Sequence, residues 1–162
     1  MKLHRTPSEL KARADGRRIL AWASSGSSQV AALETELLLP EGMEPGQLSW
    51  DLILRASWEP DHADIVYQPQ AGEAPHTLVI PVSGEFEVLA AVVRELVMGS
   101  IVIQHHVELK GEIGARLIAR RIPGDTALRW SVVFDSGIDT KDPIMRERAD
   151  AALSSLRTSL GV

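Results

Sequence analysis

Between Gln47 and Trp58, the residues Leu48, Trp50, Leu52, Leu54, Ala56 and Trp58 all fall on one parity, while Ser49, Asp51, Arg55 and Ser57 hold most of the other. Successive side chains point to opposite sides only in an extended chain, so this alternation predicts a long strand with one face against a core and one toward water. A chain built on such a strand has to supply partner strands and something apolar to cover them.

The partners are legible on both sides. Thr6-Pro7-Ser8-Glu9 has the form of a capping box, with Pro at the first helical position, and predicts a short helix from Pro7 to Ala14 that Asp15-Gly16 ends. Arg17 to Ser24 alternates as a strand, and Ser24 to Ser28 reads as a hairpin loop. Gln29 to Leu39 reads as a second strand with Ala31, Leu33, Thr35, Leu37 and Leu39 toward the core; a helix is the competing reading, weakened by Pro40 and Gly42. After the central strand, Glu59 to His62 has turn chemistry, Ile65 to Gln68 is a short strand, Pro69 to Pro75 a loop and His76 to Val82 a strand. Five strands thus precede a helix from Glu85 to Met98, whose Phe86, Leu89, Ala90, Val93, Leu96 and Val97 recur at helical spacing.

The last third repeats the theme. Ile101 to Leu109, Ala115 to Ile122 and Leu128 to Asp135 alternate, separated by Lys110-Gly111-Glu112 and Pro123-Gly124-Asp125, and Asp142-Pro143 opens a helix with Met145, Ala149, Ala152, Leu153, Leu156 and Leu160 in one stripe. Strands in runs, each run followed by a helix, indicate an α+β protein of mainly antiparallel sheets. The expected division is a short N-terminal helix at residues 1–16, a strand-rich unit with its closing helix at 17–99, and a β-β-β-α unit at 100–162; a single sheet running through both halves stays open.

Composition narrows the function. With no cysteine in 162 residues, disulfides and cysteine-based metal sites or nucleophiles are excluded. Charge-free stretches such as Leu96 to Val107 fall short of the roughly 20 apolar residues a spanning helix needs. The expectation is a cytoplasmic protein with no membrane span. Residues 19–99 carry two basic side chains, Arg55 and Arg94, against twelve acidic ones, a surface that repels nucleic acid and anionic lipid. Nucleic-acid binding would need the basic N-terminal stretch or Arg116, Arg120, Arg121 and Arg129 with Trp130 as stacking ring, and is not expected.

Several constellations have bland readings. His105 and His106 are neighbours on a strand and point to opposite faces, so both cannot ligate one metal; His105 shares parity with Ile101, Ile103 and Val107 and is expected partly buried. Asp61-His62-Ala63-Asp64 falls where Asp favours the turn itself. Asp135, Asp139 and Asp142 do not have calcium-loop spacing, and helix capping explains Asp142. Glu34 and Glu36 share a strand face and could flank a substrate, but read first as a solvated acidic face. No nucleophile elbow, Walker A loop or dinucleotide fingerprint occurs. No catalytic, cofactor-binding or metal-ligating residue is therefore predicted, and no cofactor.

Residues 17–99, with strands starting at Arg17, Gln29, Gln47, Ile65 and His76 and a closing helix at Glu85 to Met98, resemble bacterial pleckstrin-homology-like domains in layout. With Gly16 to Ala21, Ala115 to Arg121 and Trp130 to Asp135, the whole chain resembles a family of uncharacterised actinobacterial proteins that begin with such a domain. The resemblance implies a bent antiparallel half-barrel capped by the helix, and no catalytic signature; two or three more strands than the five counted, or a single sheet through both halves, stay open alternatives. It does not extend to the lipid-binding cluster of Lys and Arg around the first hairpin, where this chain has the neutral segment Ser24 to Gln29.

Three function classes follow. The first is a non-enzymatic protein-interaction or scaffolding module, self-associating or partnered, with Trp22, Arg116, Ile118, Arg120 and Ile122 as candidate interface: Trp22 as an anchor if exposed, the others as an amphipathic outer strand face suited to docking or edge pairing. The second is a carrier that holds a small apolar ligand between the sheet and the Phe86 to Val97 helix. The third is an enzyme, which would require Glu34, Glu36, Asp61, His62 or His105 to converge.

Overall fold

The computed structural model describes residues 5–70 and 73–162, so Ala71 and Gly72 of the expected Pro69 to Pro75 loop, and the first four residues of the basic N-terminal stretch, lie outside the described residues. The chain forms α1 (Ser8–Ala14), β1 (Ile19–Ser25), β2 (Ser28–Leu33), β3 (Glu36–Leu38), β4 (Gln47–Ser49), a 3-10 turn (Trp50–Leu52), β5 (Ile53–Trp58), β6 (His62–Tyr67), β7 (His76–Pro81), α2 (Glu87–Gly99), β8 (Ile101–Lys110), β9 (Ile113–Arg121), β10 (Leu128–Phe134) and α3 (Pro143–Leu160). The fold class is α+β: all strand pairs are antiparallel, in sheets ordered β1-β2-β3-β4, β5-β6-β7 and β10-β9-β8, and none closes into a barrel among the described residues.

The long strand expected from Gln47 to Trp58 is broken. β4 ends at Ser49, the 3-10 turn follows, and β5 starts a different sheet at Ile53. Ile53, the apolar residue that departs from the alternation, is fully buried, while Leu52, Leu54, Ala56 and Trp58 are only half-buried. The Trp50 indole Nε1 donates to the buried Leu33 carbonyl at 3.0 Å, which pins the corner to β2. The Gln29 to Leu39 strand is likewise two, β2 and β3, joined at Glu34-Thr35. Seven strands therefore precede α2 rather than five.

Both parities of β2 and β3 are buried because both faces of this sheet are covered. Val30, Ala32 and Leu37 enter a core with Ile53, Ile65, Ile80 and the α2 residues Leu89, Val93 and Val97. Ala31, Leu33 and Leu38 pack on the other side against Leu10 and Ala14 of α1. The Arg13 guanidinium fastens α1 there, donating to the carbonyls of Leu39 and Gln29 at 2.7 Å each. The expected Thr6 cap does not form: Pro7 precedes the first turn and no side chain caps it.

The chain divides into two compact units, one holding the described residues through Tyr67 with His76–Ser100, the other Gln68–Pro75 with Ile101–Val162. This differs from the expected division twice. The first helix is part of the first unit's packing, and the β6–β7 connection belongs to the second, where Gln68 Nε2 donates to the carbonyls of Glu73 at 2.6 Å and Val132 at 3.5 Å. In the second unit Leu109, Ala115, Leu117 and Val132 meet Met145 and Ala149 of α3, and the Asp142 side chain caps α3 by accepting from Ile144 N at 2.9 Å.

Trp50→Phe should lower stability by about 1–2 kcal/mol, the worth of a buried hydrogen bond whose acceptor is left behind. Urea denaturation checks this, and an unchanged midpoint would mean that packing alone holds the corner.

Candidate functional site

The residues expected to form an interface do not form an exposed strip. β9 lies between β8 and β10, hydrogen-bonded on both sides, so edge pairing is closed to it. Ile118 and Arg120 are buried, Arg116 is exposed, and Ile122 lies past the strand end, half-buried. Trp22 is half-buried against the α1 cluster because α1 covers the face it occupies. The alternation of β9 was readable; that its polar face would also be covered was not.

Nor do the enzyme candidates of the first unit assemble. Glu36 is held by Arg17, and Glu34, across the β2–β3 turn, lies 3.8 Å from Arg18. Asp61 and His62 do meet, with His62 Nδ1 2.6 Å from the Asp61 carboxylate and Nε2 3.9 Å from that of Asp64. The Asp61 hydrogen bond, with the negative charges of Asp61, Asp64 and Glu59, holds the His62 pKa above the ordinary 6.5. Among the described residues no group of three or more His, Asp or Glu is placed to hold a metal ion.

In the second unit His105 is exposed rather than partly buried: it sits on the edge strand β8, and the helix stripe covers the sheet nearer Val107 and Leu109. His106 Nε2 lies 2.7 Å from the Asp135 carboxylate, whose Oδ2 also accepts from Gly114 N at 2.7 Å, while Asp135 N donates to the Gly114 carbonyl at 2.8 Å. The bond to His106 and then the Gly114 amide hold the Asp135 pKa below the usual 3.8. Through Oδ2 this carboxylate, one residue past β10, ties β8 at His106 to β9 at Gly114, which is a structural task. Its anchor, Gly114, faces the irregularity between Glu108 and Lys110, where an added Cβ would lie 1.8 Å from the Val107 carbonyl oxygen.

A concave feature in the first unit lies between β5 and α2. It is an open-sided groove of about 490 Å³. Leu54, Ala56 and Trp58 line it from the strand, and Ala90, Ala91, Val97 and Met98 from the helix. Ala90, Arg94 and Met98 follow one another at four-residue intervals, a row beside the buried Leu89–Val93–Val97 stripe. The groove exists because this row and its strand neighbour use alanine, at 56, 90 and 91, where larger side chains would fill the space. Trp58 walls one end by stacking on Phe86, ring centroids 5.7 Å apart and planes at 15°.

Among the described residues Arg55 and Arg94 are the charged ones that line the groove, one from each wall. They are also the only two basic residues between positions 19 and 99. Both are exposed, and neither guanidinium has a hydrogen bond or ion pair among the described residues. The sequence carried this signal as two isolated cations in an acidic stretch, but not the fact that they would face one another. The strand side is open as well: β5 is the outer strand of its sheet, paired only with β6.

No protein-family model matches the chain, and no curated protein or solved structure is similar to it.

Two outcomes test these local assignments. Gly114→Ala should cost about 3 kcal/mol or more, since backbone has to move away from the new methyl; near wild-type melting would show that β8 yields there at no cost. A raised histidine pKa favours the folded state fully below the unfolded value of 6.5, and that contribution is lost as pH rises through the higher folded value. NMR titration of the His62 ring should give a midpoint above 6.5, and Asp61→Asn should bring it down; the same midpoint in both proteins would remove Asp61 as the cause.

Proposed function

We propose that the protein is a non-enzymatic protein-interaction module whose first unit binds an extended segment of a partner along β5, in the groove against α2. The observation that carries this is the open outer edge of β5 lying beside an apolar groove. An unpaired strand edge offers a row of backbone donors and acceptors, and an extended peptide added to it gains main-chain hydrogen bonds while alternate side chains enter whatever concavity lies beside the edge. Here that concavity is walled by Trp58, Ala90, Ala91 and Met98.

We further propose that the first unit is pleckstrin-homology-like. Four plus three antiparallel strands followed by one helix, the helix stripe entering the core that both sheets share, support this reading. So does the bridge between Ser24 and Ser83, with Ser83 N donating to the Ser24 carbonyl at 3.0 Å, which ties one corner of the two sheets. The hairpin joining β1 and β2, a turn at Gly26-Ser27, bears no cation, so an inositol phosphate site at that loop forms no part of the proposal.

A second reading, a carrier for a small apolar molecule in the same groove, is favoured by volume alone: about 490 Å³ lies within the usual range of ligand pockets. The open side favours a chain that can run out of the groove at both ends. Among the described residues no helix is long and apolar enough to cross a membrane, so a helical span has no part in either reading.

Selection of displayed random peptides on the full chain, repeated with Ala91→Trp, tests the module. Ala91 is exposed on α2, so the larger ring should fill the groove without entering the core. Enriched peptides should shift the amides of Leu54 to Trp58 and bind at least about tenfold more weakly to the variant at unchanged melting temperature. Equal binding to both proteins, or no enrichment, would remove the groove as the site.

A further inference from the structure

We infer that the segment taken up by this groove is acidic, with carboxylate side chains flanking an apolar residue, and that Arg55 and Arg94 read those carboxylates from opposite walls. The inference rests on the groove being a peptide site and adds the chemistry of its occupant.

Positive charge is sparse between positions 19 and 99. Twelve acidic residues share positions 19–99 with two arginines, and both arginines line one groove, on elements that meet only through the fold. Elsewhere on this unit Arg13 bonds two carbonyls, Arg17 holds Glu36, and Arg18 lies 3.8 Å from Glu34. Arg55 and Arg94 have no such task among the described residues. A guanidinium left exposed beside an apolar wall keeps its planar fork of donors for an incoming acceptor, and a carboxylate fits that fork with two parallel hydrogen bonds.

The acidic surroundings sharpen this. Across positions 19–99 an acidic segment meets like charge away from Arg55 and Arg94, so along β5 and α2 the favoured register is the one that places its carboxylates at these two arginines. A basic segment has the opposite problem, because it would be drawn to many places on the unit and pushed from the groove itself. The apolar residue between the carboxylates lies against Ala56, Ala90 and Trp58, the small side chains providing depth and the ring an end wall.

The test uses the full chain, isotopically labelled, and three peptide series with apolar residues at alternating positions and Glu, Gln or Lys between them. The Glu series should shift the amides of β5 and of the Ala90 to Met98 row and bind about tenfold more tightly than the Gln series, with the advantage falling as salt is raised. Arg55→Glu with Arg94→Glu, both at exposed positions, should reverse the order so that the Lys series binds best; circular dichroism of the double variant checks that it is folded. If all three series shift the same groove amides with equal affinity, the inference fails and the peptide site stands. If no series shifts them, both fail. Shifts produced there by decanoate, with none from any peptide, would replace the peptide with a small amphipathic carboxylate.

Discussion

The passage of the chain from its first sheet to its second through one buried 3-10 turn is the constraint on which the first unit depends. Trp50 sits in that turn with its ring in the core and its indole proton committed to the Leu33 carbonyl, while Ile53 enters the core as well and a register irregularity between Ile53 and Arg55 restores Ala56 and Trp58 to the covered side. The turn ends one sheet's edge strand and begins another's. Without it the stretch from Gln47 to Trp58 would remain one strand of a larger sheet, and β5 would have no separate outer edge to lie beside α2. The groove is thus a by-product of a corner, and its depth comes from alanines at 56, 90 and 91.

How far the sequence could be read follows from the same physics. Period-two and helical patterns located α2, α3 and β8 to within a few residues, because each has one covered face and one wet one, while the turns at Gly111 and Gly124 bounded β9 and β10, which are buried on both parities. The pattern failed where that premise failed. Gln29 to Leu39 is apolar on both parities since α1 covers one face and the main core the other, so a hairpin break at Glu34-Thr35 was invisible. The broken strand at Trp50 kept its alternation through a turn with about three residues per repeat, and the one departing residue, Ile53, was the clue.

For the candidate site the limits were of another kind. Arg55 and Arg94 stood out by charge, and the alanines did not stand out at all, because a small residue signals a cavity only when its neighbours in space are known. The interface expected on β9 rested on parity alone, which gives which side chains share a face and not whether that face is covered. Histidine placement depended on strand order: His105 lies on an edge and is exposed, whereas His106 finds Asp135 across the sheet end.

The β6–β7 connection has a consequence for how this protein can be cut. Residues 68–75 leave the first unit, join the second, and return, so neither unit is one unbroken stretch of chain. The boundary that charge and pattern suggest, near residue 100, severs the covalent chain at a sensible place but not the architecture: a fragment ending there carries with it the part of the second unit that holds Gln68, separated from the Val132 carbonyl to which that amide donates. The two units are interleaved in sequence order, so no single cut of the chain separates them.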